Sequence, residues 1–419
     1  MKHLKILQLI LRAISIFVVF IVMIKGLDYN LTPYSYLFIF LFNAYQIYSS
    51  RKHIFVLLIV ILISYCNYSI IYANFISPLG TAYTEGINQT VSNISLNIVL
   101  LFTSVMLWLT DWKSIPKLDN FIYIDSKQKN SSLIIITTLL LFFIFIFGFR
   151  RPESIGVRGT PRPIYEYSLI IFLMFFMYSG NIKKYTRFGL FMIVLFSLQN
   201  FVFGGRILGI QFLLCAYLIL FVNSFSKKTI ISLMIGGLFI MNIIGSMRGQ
   251  LLYQHINFNA VLSDIINDGG ALDTACAAYY TSESFVYTFD FLSSHERLFL
   301  FGKFISGIFL GSERQYIIQN ITKEYVTHSN GGVFPLYFYL YLGPLGFLVS
   351  NILLAFYLKI VSGVTNNSSY LVRCLAVYVT CHTFRWYLYT PNGLLRGVIF
   401  LVVVYYSFVF ANRILPKKL

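Results

Sequence analysis

The residues most able to do chemistry in this chain are arginines gathered at particular ends of apolar runs. Arg150, Arg151, Arg158 and Arg162 crowd into one short stretch stiffened by prolines, Arg150-Arg151-Pro-Glu-Ser-Ile-Gly-Val-Arg158-Gly-Thr-Pro-Arg162-Pro. Arg206 follows Gly204-Gly205, where two apolar runs meet with almost no connection, so the second helix would point its N-terminal amides the same way. Arg248 closes another apolar run, Arg314 sits beside Glu313, Arg385 lies three residues after His382 inside an apolar run, and Arg396 begins the last one. A guanidinium presents a rigid fork that pairs bidentately with phosphate and stays charged when desolvated. The pattern therefore predicts an anionic, phosphate-bearing substrate.

A transfer reaction also needs a group to take a proton, and a histidine or a carboxylate with a tunable pKa suits that task. His328 is favoured because it precedes Ser329-Asn330-Gly331-Gly332, a segment able to fold over a site. Glu313 and Glu324 are the competing carboxylates. Glycine-rich nucleotide loops, a serine nucleophile elbow and the HExxH metal spacing are all missing from the sequence, which disfavours ATP-driven work and metal hydrolysis and predicts no cofactor and no metal ligands. The five cysteines show no zinc or disulfide spacing, and four of them lie in apolar segments, where they serve as small core residues.

The elements that must hold these groups are membrane helices. Of 419 residues 58% are hydrophobic and only 11% charged, and the mean hydropathy is +0.74, so lipid must be the solvent for most of the chain. Apolar stretches long enough for a hydrocarbon core of roughly 30 Å run over 7–25, 33–50, 54–75, 93–110, 132–149, 165–180, 187–203, 206–223, 229–247, 334–357, 371–389 and 396–413. This predicts one all-α integral membrane domain over 1–419 with about a dozen transmembrane helices.

Lysine and arginine fall on alternate sides of this map, as cytoplasmic connections require. Lys2, Lys5, Arg51, Lys52, Lys113 to Lys129, Lys183, Lys184, Arg187, Lys227, Lys228, Lys359, Arg413, Lys417 and Lys418 mark the inner side and put both termini in the cytoplasm. Residues 248–333 then form one large periplasmic loop between the ninth and tenth helices, and most of the acids lie outside. Within that loop, 296–311 is apolar but too short to span and is expected to lie along the interface. The net charge of +17 follows from this topology, without any basic groove or motif for nucleic acid. The arginines named above fall mostly on the outer side, where topology disfavours positive charge, so a ligand explains them better.

The map, the arginine-bearing outer loops, the single large late outer loop and the inside termini resemble the Wzy-type polymerases of O-antigen and related surface polysaccharides. His328-Ser329 followed by Gly343-Pro-Leu-Gly346 is similar to the histidine-then-GxxG signature of that superfamily, which includes the O-antigen ligases, with a gap longer by about one helical turn. The resemblance implies a metal-independent glycosyltransferase of the bacterial inner membrane with its active site facing the periplasm. It would move a growing glycan from undecaprenyl pyrophosphate to a hydroxyl of the next lipid-linked repeat unit. Arg206, Arg248, Arg385 and Arg396 would hold the pyrophosphate, the Arg150, Arg151, Arg158 and Arg162 stretch the second lipid-linked substrate, and His328, Glu313 or Arg314 the reacting groups. The partners implied are lipid-linked oligosaccharides, membrane lipids and a polysaccharide chain-length regulator. A lipid-linked oligosaccharide flippase, or another polytopic transporter, and a ligase are the rival readings, the first disfavoured because the large loop has no counterpart in the other half of the chain.

Overall fold

The computed structural model describes residues 2–75, 88–112, 114–118, 121–124, 128–150, 159–203, 205–224, 274–310, 318–327 and 331–416, with a few positions between 229 and 263. Among these the fold is helical apart from one two-residue ribbon. Among the described residues six helical segments are long and apolar enough to cross a membrane, Ile6–Lys25, Ile54–Ile71, Gln89–Leu109, Lys183–Val202, Phe334–Ser362 and Pro391–Ile414. Large apolar side chains such as Phe17, Phe20, Met23, Phe143, Val403 and Phe410 face outward, as they do when lipid rather than water surrounds a bundle. The chain is an all-α membrane protein.

Where the sequence suggests one domain, the packing separates two compact units that interleave along the chain. The first contains α1 (Lys2–Lys25), α2 (Thr32–Ser50), α3 (Ile54–Phe75) and α4 (Gln89–Leu109). These run alternately up and down. At one end Arg12 donates to the Leu107 carbonyl at 3.0 Å and the Trp108 indole to Ser15 at 2.8 Å. At the other, the Asn97 amide donates to the carbonyls of Leu27 at 2.7 Å and Tyr29 at 2.9 Å. α3 is apolar on nearly every face, with Phe55 to Val60 buried without interruption, which marks it as the centre of the unit. Asn88 begins α4 by accepting from the Val91 amide at 3.0 Å, satisfying one of the orphan donors of the first turn.

In the second unit are α5 (Ser131–Phe147), the ribbon strands β1 (Phe149–Arg150) and β2 (Thr160–Pro161), α6 (Ser168–Tyr178), α7 (Lys183–Val202) and α8 (Arg206–Ala216). Asn130, the cap of α5, receives its backbone partner from the end of α6 through the Tyr178 carbonyl at 3.2 Å. Its side chain reaches Asn412 at 2.8 Å, and Ser132 donates to the Pro416 carbonyl at 2.8 Å, so the C-terminus joins this end.

The connection 248–333 differs from the expected loop. Its described part is largely helical, with α9 (Thr274–Phe289), α10 (Ser294–Leu310) and the short α11 (Ile318–Thr322). α9 is among the most buried elements, packed against α3 and α4, and its small residues Ala275, Ala278 and Ser282 recur at helical spacing, which permits close approach. α10 buries Leu300, Phe304 and Ile308 and exposes Leu298, Phe299, Ile305 and Phe309.

Two helices expected to be continuous are broken. The tenth divides into α12 (Phe334–Leu342) and α13 (Gly346–Ser362) around Gly343, whose φ of 59° is unfavourable for other residues. The chain folds back so tightly there that Gly346 lies against the backbone of Phe338. The eleventh divides into α14 (Tyr370–Cys381) and α15 (Thr383–Leu388), ahead of α16 (Pro391–Ile414).

Gly346→Val should force α12 and α13 apart and lower the melting temperature of the detergent-solubilised protein, an overpacking cost of about 1–3 kcal/mol or more. Gly363→Ala, where an added methyl meets only ordinary contacts, should leave it unchanged.

Candidate functional site

In the second unit Arg150, Arg162 and the Gly205-Arg206 start of α8 come to the same end. The Arg162 amide donates to the Gly148 carbonyl at 2.9 Å, closing the ribbon onto the end of α5. The Gly159 amide donates to the Phe203 carbonyl at 3.0 Å, which draws β2 beside the α7–α8 turn. Beneath this end Tyr165 is fully buried, donating to Gln199 at 2.9 Å and accepting from the Asn200 amide at 2.9 Å. Its ring meets Phe149, Phe196 and Phe212. Asn200 in turn receives the Gly205 amide on its carbonyl at 2.7 Å, so one aromatic and amide cluster fixes both the ribbon and the start of α8.

Arg150 and Arg162 are exposed on this platform and Arg206, the first residue of α8, is half-buried. No side chain caps α8, so its first amides and the positive end of its dipole face the same end as the three guanidiniums. That combination attracts anions. The opposite end of the unit carries Lys129, Lys183, Lys184 and Arg413, beside Gly180, Tyr178 and Asn412.

Arg385 and Arg396 belong to the first unit. Arg396 is exposed near the start of α16, and Arg385 is half-buried on the six-residue helix α15. That short helix is held at several points. The Tyr387 hydroxyl donates to Asn67 at 3.0 Å and the Leu388 carbonyl accepts the Gly332 amide at 2.8 Å. Gln319 donates to the carbonyls of Tyr389 at 3.3 Å and Gly331 at 3.2 Å. His382, expected on one face with Arg385, sits at the helix break instead. Its ring stacks on Tyr378 with centroids 4.0 Å apart and its Nδ1 meets the Tyr378 carbonyl at 3.0 Å.

His328, Glu313, Arg314, Arg151, Arg158 and Arg248 lie outside the described residues. The chain that follows His328 is described from Gly331 onward and is buried inside the first unit. Gly331 and Gly332 adopt φ of 125° and 158°, and a side chain at Gly332 would strike the Phe285 ring. The Val333 amide donates to Ser282 at 2.6 Å. This extended segment therefore threads between α9 and α15.

Nothing in its sequence context singles out Glu283, yet among the described residues it is the acid most shifted by burial. It lies on α9, only 2% exposed, with the Ser92 hydroxyl donating to it. Tyr36 of α2 and Tyr279 of its own helix are close enough to feel its charge. Burial pushes its carboxyl up to about 8, against which the Ser92 hydrogen bond works only in part. The available signal was an acid in the middle of a helix whose small residues mark it as buried.

Comparison with protein-family models, with curated proteins and with solved structures finds no match for this chain.

A carboxyl whose folded pKa is raised contributes stability that is complete below the unfolded value and is lost as pH rises toward the folded one. The melting temperature should therefore fall between pH 5 and about pH 8 and level off above it. Glu283→Gln should remove that component of the slope, as followed by thermal melts at a series of pH values.

Proposed function

We propose that this protein polymerises lipid-linked oligosaccharide repeat units at the periplasmic face of a bacterial inner membrane, in the manner of the Wzy-type polymerases it resembles. The observation that carries this reading is the gathering of Arg150, Arg162 and Arg206 with the uncapped start of α8 at one end of the second unit, while lysines mark the other end. A pyrophosphate needs several fixed donors at once, and arginine forks on a rigid platform with helix amides supply them.

In this mechanism Arg206 and Arg248 hold undecaprenyl pyrophosphate and stabilise the charge that builds on it as the glycosyl bond breaks, and Arg385 and Arg396 bind lipid-linked glycan. The stretch from Arg150 to Arg162, with Arg151 and Arg158, receives the second lipid-linked substrate. No metal is needed, because the arginines neutralise the leaving group. α10, with its apolar outer face, borders the lipid side from which the polyprenyl chains arrive. The about twelve crossings expected from the sequence, with both termini cytoplasmic, put the arginine end outside. A polysaccharide chain-length regulator is the expected protein partner.

A flippase would share the cation-lined end but should leave repeat units trapped inside when lost, and a ligase should leave no glycan attached at the surface. Deleting the gene and resolving surface polysaccharide on a gel separates the three, with a polymerase predicting core that bears a single repeat unit. Arg206→Lys and Arg385→Lys should each lower polymer yield roughly tenfold or more, the cost of one lost charge-assisted hydrogen bond of about 1.5–3 kcal/mol. Wild-type chain lengths in both variants would remove these residues from the site.

A further inference from the structure

Between α2, α3, α4 and α13 the first unit keeps a cavity with a partly polar wall. Four polar residues line it, Asn43 and Gln46 of α2, Asn67 of α3 and Thr103 of α4, among apolar neighbours such as Leu358 and Trp112. None of the four is more than 5% exposed. Carboxamides held this deep in an apolar bundle cost free energy unless their donors and acceptors are met.

The protein meets them only in part. The Thr103 hydroxyl turns back on the Val99 carbonyl at 2.8 Å, and the Trp112 indole is spent on the Met106 carbonyl at 3.1 Å. Tyr387 donates its hydroxyl to Asn67 Oδ1 at 3.0 Å, which leaves the Asn67 nitrogen for Asn43. That second contact, Asn67 Nδ2 to Asn43 Oδ1, is 3.5 Å long, and Gln46 Nε2 reaches the Thr103 carbonyl at 3.4 Å. Both exceed the roughly 2.7–3.2 Å of a well-formed bond. Asn43 Nδ2 is buried and finds no acceptor in the protein among the described residues.

A guest that suits this wall must accept one hydrogen bond and be able to donate others. It must also be small, because the open space has room for about one water molecule. A sugar or an acyl chain is too large, and no carboxylate lines the cavity to hold a cation. A wall of aliphatic side chains would stay dry, whereas a water with two to four polar partners is stably bound.

We infer that this cavity is a water site, in which one water accepts from Asn43 Nδ2 and turns its hydrogens to oxygens of the wall. The water joins the Asn43–Asn67 pair to the Gln46–Thr103 pair. Its effect reaches α15, whose six residues are too few to hold a helix by backbone bonds alone. Asn67 is the group that Tyr387 of α15 grips. The hydrogen-bond chain then runs without a gap from Thr103 and Gln46 through the water, Asn43 and Asn67 to Tyr387. Asn43 and Gln46 are thus positioning residues for the segment that carries Arg385, although neither touches it.

The test uses the full chain in lipid nanodiscs. A map at a resolution that shows ordered solvent reports on the cavity, and hydrogen exchange over residues 383–390, read by mass spectrometry, reports on α15. Wild type should show a single solvent peak within hydrogen-bond reach of Asn43 Nδ2. Asn43→Leu, similar in size and unable to donate, should lose the peak and speed exchange over 383–390 by several-fold, up to roughly tenfold, the worth of one net hydrogen bond. Gln46→Leu should speed the same amides, because only the water links Gln46 to α15. Leu37→Ala, exposed on the outer side of α2, should change neither reading. A wild-type cavity without a solvent peak, or one filled by acyl-chain density, overturns the water site. Exchange over 383–390 that keeps the wild-type rate in Asn43→Leu, or in Gln46→Leu where the first variant does not fold, overturns the positioning role.

Discussion

The interior of a bilayer offers no partner to a backbone amide or carbonyl, and the fold is largely an answer to that constraint. Helices satisfy themselves along their length, so the points of interest are where they stop. The Leu388 carbonyl, freed at the end of α15, is taken by the Gly332 amide, and the Tyr389 carbonyl by Gln319. Between α1 and α2 the freed carbonyls of Leu27, Asp28 and Tyr29 are met by Asn97 and Asn93. At both places the freed carbonyls meet donors brought from a distant part of the sequence.

The same constraint gives polar side chains in the bundle their significance. Asn43, Asn67 and Tyr387 form a chain that ties α15 to α2 and α3, and through it holds the short helix that carries Arg385. Tyr165, Gln199 and Asn200 do the corresponding work under the arginine platform. Glu283 stands apart because its group changes charge, and burial makes that change expensive.

Much of this architecture was legible in hydropathy. The span read as 54–75 is α3 to the residue, and 132–149 and 206–223 fall within a few residues of the observed helices. Length and apolarity suffice there, because lipid imposes both. The breaks at Gly343 and His382 were missed because an apolar run looks continuous whether or not the chain turns within it. α9 reads as loop in hydropathy because its Thr, Ser, Tyr and Glu lower it, although its small residues mark close packing. The gathering of Arg150, Arg162 and Arg206 followed from charge alternation, whereas Glu283 was hidden. Sequence shows that an acid exists but not that a distant tyrosine and serine surround it.

The account turns on the arginine end and the lysine end of the second unit lying on opposite sides of the membrane. Single cysteines at positions 150, 162 and 206, and separately at 129, 183 and 413, can be challenged in intact cells with a thiol reagent that does not cross the membrane. The native cysteines, buried throughout the structure, should stay silent in the control. The first set should label in intact cells and the second only after the membrane is opened. Labelling of the two sets on the same side, or of the first set only from within, would contradict the account.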